Sequence, residues 1–384
     1  MKAAFSDVCA RATTGSPSSH LGSRILYVVG QLSLGGSECQ LYCLLERMDK
    51  SRFQTAVFVW DFRQDDPYVA RFKALGVPLD GFPSEVSRAN KMKIFRQIVQ
   101  QWRPEVIHSY SFHTNFAAYW ATLGGKAIAM GSVRSDFARA KKDCGPLLGS
   151  LSARWPRSQI FNSFTAAENA RSTRSFFTPS QLFVIRNGLN LQYYQTTPLP
   201  GGRRVCVVGV GSLFPVKRWD RLLLAGLELK RRGYDSLIRI AGTGPLRNSL
   251  EQRAQDLGLG DRVKFVGQVE DIPKFFSDAT FVVHTSDSEG CPNTVMEAMA
   301  CGRAVIATDA GDVPHLVEDG KTGFVVPRGD DATLVERMMK LITDRNLCRS
   351  MGEAGRAKAE REFGLNRLVT DTLAAYRAAG WEET

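Results

Sequence analysis

The chain has 384 residues, 43% of them hydrophobic, and carries 50 Lys and Arg against 39 Asp and Glu for a formal net charge of +11. That length suits two domains of roughly 180 residues, each large enough for its own core, and no apolar run approaches the roughly 20 residues that a membrane helix needs. The eight cysteines are scattered without CxxC or Cys/His spacing, which argues against a disulfide framework or zinc site and fits a reducing, cytoplasmic setting.

Residues 1–23 are polar and rich in Ser, Thr and Gly, lack the apolar centre of a signal peptide, and read as a mobile tail. The following region, 24–195, reads as strand, loop and helix in alternation. Arg24 to Val29 is a buried first strand, and Gly30 to Gly36 leads into a helix over Ser37 to Met48. Gln54 to Trp60, Lys126 to Val133, Val106-Ile-His108 and Phe183-Val-Ile185 continue the strand series. Pro198, Pro200 and the pair Gly201-Gly202 mark the interval Gln195 to Arg204 as a linker. Over 196–364 the cycle restarts, with a strand at Val205 to Gly211, a helix over Trp219 to Arg231 and a strand at Leu237 to Ala241. The duplication predicts an α/β chain of two doubly wound, Rossmann-like domains facing a cleft, closed by a last helix from Leu365 within 365–384.

Charge is divided unevenly along this plan. Residues 1–190 hold 24 Lys and Arg against 13 Asp and Glu, while residues 191–384 hold 26 of each. A basic face on the first domain can attract a phosphate-bearing lipid acceptor or an anionic membrane surface, each well-placed cation contributing about 1 kcal/mol. A merely solvated basic surface is the plainer alternative. Nucleic acid is not expected, because no aromatic-interleaved nucleic-acid module accompanies the charges.

The most informative stretch is Thr285-Ser-Asp-Ser-Glu-Gly-Cys-Pro-Asn-Thr-Val-Met-Glu297. Phe281 to Thr285 reads as a buried strand, Ser286 to Pro292 as a turn, and Asn293 or Thr294 as the N-cap of a helix running through Ala300. Such a junction presents backbone N–H groups and a positive dipole end, a good place for a phosphate. Glu289 and Glu297 then flank it, able to accept hydrogen bonds from sugar and ribose hydroxyls. Without further context the same residues describe a capping box at an ordinary helix start.

The pattern Ser-x-Ser-Glu-Gly-x-Pro-Asn-x-x-x-Glu-Ala-Met-Ala-x-Gly, followed by Ala304 to Thr308 and by Gly320-x-x-Gly323, resembles the large family of retaining family 4 glycosyltransferases with the GT-B fold. The resemblance spans about residues 24 to 380, and the Glu-x7-Glu segment is its most specific part. It implies a donor site made by Gly35, Gly36, Lys217, Arg218, Gly242, Val269, Glu289, Gly290, Cys291, Pro292, Asn293, Thr294 and Glu297. In Gly211-Ser-Leu-Phe-Pro-Val-Lys217-Arg218 the lysine matches the family residue that neutralises the donor pyrophosphate, while Ser212 and Arg218 depart from its usual Arg and Gly. Taken alone, Gly35-Gly36 is also what a tight turn before a helix looks like. Asp312 and His315 likewise depart from a family Gly and Glu.

Two histidines remain to be placed. Family members carry a histidine here that contacts the donor sugar, and His113, at the start of a helix, is favoured over His108, at the end of a strand; a satisfied structural histidine is the alternative for either. With Glu289 and Lys217, His113 forms the candidate catalytic set. His108, Arg134 and Asp136 are candidates on the acceptor side, although an exposed loop explains most of that segment equally well.

What the resemblance implies is transfer of a sugar from a nucleoside-diphosphate sugar to a hydroxyl acceptor with retention at the anomeric carbon; the charge asymmetry points to surface polysaccharide or glycolipid synthesis on a lipid-linked or polysaccharide acceptor, in the cytoplasm at the inner face of the cell membrane. No cofactor is expected, and the absence of any Asp-x-Asp removes the usual sequence sign of a metal bridging the diphosphate. A sugar-nucleotide 2-epimerase of the same architecture and a non-catalytic nucleotide-sugar-binding protein are the rival readings.

Overall fold

The computed structural model describes residues 22–83, 85–173, 175–202 and 204–383. Residues 1–21 of the expected tail lie outside the described residues, and Ser23 already belongs to the first strand. The chain divides into two compact units, one of residues 1–188 with 365–384 and one of residues 189–364.

In the first unit the strands are β1 (Ser23–Val29), β2 (Phe53–Val59), β3 (Leu79–Gly81), β4 (Val106–Ser109), β5 (Ile128–Val133), β6 (Ser158–Phe161) and β7 (Gln181–Val184), in the order β3-β2-β1-β4-β5-β6-β7. All pairings are parallel, with Tyr27 opposite both Val57 and His108. Ile25, Tyr27 and Val29 enter one core, and Leu26 and Val28 enter the other. A strand covered by helices on both sides must be apolar at every position, which is why the sequence shows a continuous run instead of an alternation. Leu365, Leu368, Leu373 and Tyr376, from the helix Leu365–Ala378, complete the first of these cores.

The second unit repeats the plan with β8 (Val205–Val210), β9 (Ser236–Ala241), β10 (Val263–Gly267), β11 (Phe281–His284), β12 (Ala304–Thr308) and β13 (Gly323–Val326), ordered β10-β9-β8-β11-β12-β13. Val207 lies opposite Ile238 and Phe281, so β8 is central. Val207, Phe281 and Val283 face one core, Val208 and Val282 the other. The fold class read from the sequence, two doubly wound parallel-sheet units, is the one observed, with strand and helix ends shifted by a residue or two, while the second unit begins at Leu189 and not at the expected 196. The helix expected over Ser37 to Met48 spans Gly36–Arg47, and the one expected over Trp219 to Arg231 has those bounds.

Both sheets reverse their strand order once, between β1 and β4 in the first unit and between β8 and β11 in the second. At such a point the two adjoining loops diverge to opposite faces and leave a crevice beyond the strands' C-terminal ends, the usual ligand position in open α/β sheets.

Candidate functional site

In the second unit that position is framed by the loop after β8, Gly211 to Arg218, and the loop after β11, Thr285 to Pro292. Three hydrogen bonds lace them together: Thr285 Oγ1 donates to Lys217 O at 2.8 Å, Ser286 Oγ to Val216 O at 3.0 Å and Asp287 N to Val216 O at 2.9 Å. The short 3-10 turn Pro215–Lys217 thereby brings the Lys217 ammonium onto Glu289 Oε1 in an ion pair. His284, the last residue of β11 and fully buried, places Nε2 3.2 Å from the same oxygen, off the hydrogen-bond axis. Oε1 is therefore held from two sides, whereas Oε2 makes no hydrogen bond among the described residues and remains an acceptor for a ligand.

Burial alone would push the Glu289 carboxyl upward, but the adjacent His284 ring and the Lys217 charge outweigh it and hold the group at about 2. A folded-state value below the unfolded one stabilises the ionised protein above the unfolded value, and that contribution disappears as pH falls toward 2. Thermal unfolding followed between pH 6 and pH 3 is expected to show the second unit of Glu289→Gln losing less stability on acidification than the wild-type unit. Equal losses would remove Glu289 from the account of acid sensitivity.

Arg218 lies beside this pair but is engaged elsewhere. Its Nε and Nη2 donate to the two oxygens of Asp220, each at 3.0 Å, and its Nη1 donates to Asp287 Oδ2 at 2.9 Å. Arg221 Nη1 closes the cluster at 2.7 Å from Asp287 Oδ1. Two carboxylates thus occupy both edges of the Arg218 guanidinium and raise its pKa further. Lys217, with three ammonium donors and only Glu289 as partner among the described residues, retains donors for a phosphate. Arg218, expected to help with phosphate, is engaged by Asp220 and Asp287 in this structure and braces the loop. Arg218→Gln should change nucleotide affinity less than about threefold, whereas Lys217→Ala should weaken it at least about tenfold, the loss of one charge-assisted bond; calorimetric titration of both variants checks the contrast.

The helix after the loop is Asn293–Ala300, and its N-cap is Pro292, with no side-chain cap hydrogen bond. The expected capping by Asn293 or Thr294 is corrected: Asn293 is the first helical residue, and Thr294 Oγ1 donates instead to Val210 O, at 3.2 Å, tying the helix start to the end of β8. A helix beginning on proline has no side chain to cover its first-turn amides, which suits it to an external anion. Glu297, one turn in, accepts from Tyr194 Oη at 3.0 Å. Gly290, Cys291 and Pro292 are buried beneath the turn, with Cys291 Sγ 3.4 Å from Met296 Sδ. Gly311 fixes that turn from behind: its φ is +57°, and a Cβ there would stand 2.4 Å from Glu289 O. Gly242, after β9, has φ +140° and would place a Cβ 1.9 Å from Gly211 O, so the loops after β8 and β9 meet backbone to backbone. Val269, beyond β10, is half-buried against the core of the second unit.

The first unit presents a corresponding set after β1 and β4. Gly30 N donates to Ser111 Oγ at 2.9 Å, and a Cβ on Gly30 would lie 2.5 Å from His113 Cε1. Glycine is what lets the β1 loop touch His113, which sits exposed in the 3-10 turn Phe112–Thr114. Gly35 is the extended N-cap of the helix Gly36–Arg47, with Glu38 folded over it. His108 is different. It is 1% exposed, its Nδ1 is 2.7 Å from Tyr376 Oη and its Nε2 2.9 Å from Ser132 Oγ. Both nitrogens are taken inside the core, which corrects its assignment to the acceptor side. Asp136 is the N-cap of the helix Phe137–Asp143, accepting from Arg139 N at 2.8 Å, a structural role that accounts for it. Arg134 lies over the Tyr110 ring, 3.7 Å from its centroid, and reaches Asn187 Oδ1 at 3.5 Å.

Residues 197–358 match the family model described as glycosyl transferases group 1. That match lies within the second unit. Of the curated relatives, a GDP-mannose-dependent alpha-(1-6)-phosphatidylinositol monomannoside mannosyltransferase of Mycolicibacterium smegmatis is 35% identical over 164 residues, 40% of this chain and 43% of its own length. An N-acetyl-alpha-D-glucosaminyl L-malate synthase of Bacillus anthracis is 28% identical over 170 residues, 44% of each chain. The chain thus spans under half the length of these relatives. Likeness of fold extends further: HepE of Anabaena, solved in complex with UDP, superposes with a TM-score of 0.80 at 20% identity over 92% of this chain and 100% of its own. Sucrose-phosphate synthase of Thermosynechococcus elongatus gives 0.77 at 20% identity over 93% and 98%. The fold of the chain is therefore GT-B, as the resemblance implied.

Two residues of this site escape sequence reading. His284 is absorbed by the apolar strand Phe281–His284, although a titratable side chain ending such a strand five positions before Glu289 is a usable signal. Asp287, the acid that claims Arg218 and Arg221, looks like one more polar loop residue.

Proposed function

We propose that the chain is a retaining glycosyltransferase that moves a sugar from a nucleoside-diphosphate sugar to a hydroxyl acceptor, in the synthesis of a surface polysaccharide or glycolipid. The observation that carries the reading is the Lys217–Glu289 pair at the β8/β11 switch point, with Oε2 of the glutamate open. In this reading the Lys217 ammonium and the first-turn amides of Asn293–Ala300 take the growing negative charge of the departing diphosphate. Glu289 Oε2 accepts from a hydroxyl of the transferred sugar, held in place by Lys217 and His284. Glu297, steadied by Tyr194, accepts from the ribose, and the backbone around Gly242 and Val269 meets the nucleotide. His113 and the Gly35-Gly36 turn are assigned to the sugar or acceptor. The acceptor hydroxyl attacks the face from which the diphosphate leaves, and a phosphate oxygen takes its proton; Lys217 supplies the positive charge, so the reaction proceeds without a metal. Support for a nucleotide-sugar donor comes from the relatives: one named mannosyltransferase is GDP-mannose-dependent, and HepE is solved with UDP-glucose as well as with UDP. A cytoplasmic enzyme working at the inner face of the membrane on a lipid-linked acceptor fits the basic first unit.

The test is incubation with UDP-, GDP- and ADP-sugars, with and without acceptor extracts, read by proton NMR of the anomeric signal. A new glycoside of the donor's own anomeric configuration is expected, only in the presence of acceptor. Inversion, or a change of the sugar without acceptor, would refute it; the latter is the result an epimerase gives.

A further inference from the structure

The two most exposed large apolar side chains among the described residues are Leu147, 75% exposed, and Phe176, 69% exposed. Phe176 lies in an aromatic patch on the first unit. Phe177 meets Phe176 edge-on, 5.3 Å between centroids, and Trp155 lies 6.2 Å from Phe176. Lys141 places Nζ 5.6 Å from the centre of the Phe177 ring. Apolar side chains left in water cost free energy, and several together on one surface mark a contact.

Basic groups are interleaved with them. Arg154 lies 5.4 Å over Phe176, and with Arg171 it lines a hollow of about 900 Å³ with Ser175, Thr178, Pro179 and Ser180, a lining that contains no acidic residue. Arg154 Nη1 is spent on Thr178 O and Ser180 Oγ, at 3.1 and 3.0 Å, but its Nε makes no bond, and Arg171 makes none at all among the described residues. Over residues 134–186 the sequence holds nine Lys and Arg against three Asp and Glu.

We propose that this patch seats the protein on an anionic phospholipid surface, with Phe176 and Phe177 entering the headgroup layer and a lipid phosphate in the Arg154–Arg171 hollow. Aromatic side chains ringed by cations suit the interface of a charged bilayer, where burial and electrostatics add. A single-stranded nucleic acid would want open, roughly parallel ring faces to stack on; Phe176 and Phe177 are at 86° to each other and already carry cations. Placement favours the proposal too. Trp155 leads into β6 and Ser175 to Ser180 into β7, so the patch lies at the strands' N-terminal ends, away from the loops after β1 and β4 that carry Gly35 and His113. Seating this face leaves those loops uncovered.

The proposal gives the membrane part of the function above a place on the molecule, but it is read without donor or acceptor. Full-length protein is sedimented with vesicles of phosphatidylcholine alone or with 30 mol% phosphatidylglycerol (about one lipid in three, enough for a negative surface potential), at low and high salt. Binding to the anionic vesicles is expected to be at least about tenfold tighter and to weaken with salt. Phe176→Ser with Phe177→Ser, and separately Arg171→Gln, should each weaken it severalfold while circular dichroism and melting stay unchanged, since these side chains are exposed. Absence of binding, equal binding to neutral vesicles, or full binding by both variants overturns the proposal. So does saturation of the hollow by inorganic phosphate or capture of an acidic protein without vesicle binding. A protein that sediments as expected yet transfers no sugar would defeat the transferase reading and leave this one standing.

Discussion

Glu289→Gln is expected to lower sugar transfer by about 10³-fold, an effect of the size seen when one preorganised polar contact to a transition state is removed. The amide keeps the shape of the carboxylate but brings no charge to Lys217 and His284, which both address Oε1. If the amide oxygen takes the Oε1 position, an N–H donor points where Oε2 should accept a sugar hydroxyl; if it flips, the NH2 group faces two donors. Either way the acceptor that orients the sugar is lost. Because the contact matters most as the anomeric carbon separates from the diphosphate, the loss should fall on kcat more than on KM. The fold should survive, since Lys217 is partly exposed and can rehydrate. Steady-state kinetics with the donor identified by NMR decides it: a loss below about tenfold would mean that Glu289 does not orient the transferred sugar.

Gly242→Ala should be the most damaging single methyl in the second unit. At φ +140° an alanine is strained whatever the space around it, and here its Cβ would come within 1.9 Å of a backbone oxygen, Gly211 O. Backbone cannot swing aside as a side-chain end can. Gly211 N is also bonded to Ala241 O at 2.9 Å, and Leu213 N to Thr243 O at 2.8 Å, so separating the loops breaks the bonds that position the turn leading to Lys217. A loss of more than about 4 kcal/mol is expected, in the range that only named backbone or core mechanisms reach. Two units make a single unfolding transition an unsafe assumption, so the measurement is differential scanning calorimetry resolved into transitions. The transition of the second unit should fall and that of the first stay in place; an unchanged upper and lower transition would show that the close approach is not rigid.

How much of this was legible beforehand can be told from particular residues. The strands were, because a sheet covered on both faces leaves continuous runs such as Arg24 to Val29 and Phe281 to Val283, and because glycines and prolines punctuate them. Glu289 and Lys217 were legible through the family pattern; their contact joins positions 72 apart in sequence, a distance over which no periodicity carries information. Non-local pairing is also what misled. His108 ends a strand as a site histidine would, but its partner Tyr376 lies 268 residues away in the last helix. Arg218 matches a phosphate ligand by position, and its partner Asp287 lies 69 residues on. Capping failed for a local reason: Asn293 and Thr294 are good N-cap residues by type, yet Pro292, which fits a helix start without an N–H to satisfy, begins the helix one position earlier.

The central claim is that the β8 and β11 loops of the second unit hold the diphosphate of a nucleotide sugar through Lys217. Isothermal titration of the full chain and of Lys217→Ala with UDP, GDP and ADP tests it most directly. One of the three nucleotides should bind the wild type, and the variant should bind it at least about tenfold more weakly, a difference of 1.4 kcal/mol or more. Equal binding by the two proteins, or no binding of any nucleotide to the wild type, would contradict it.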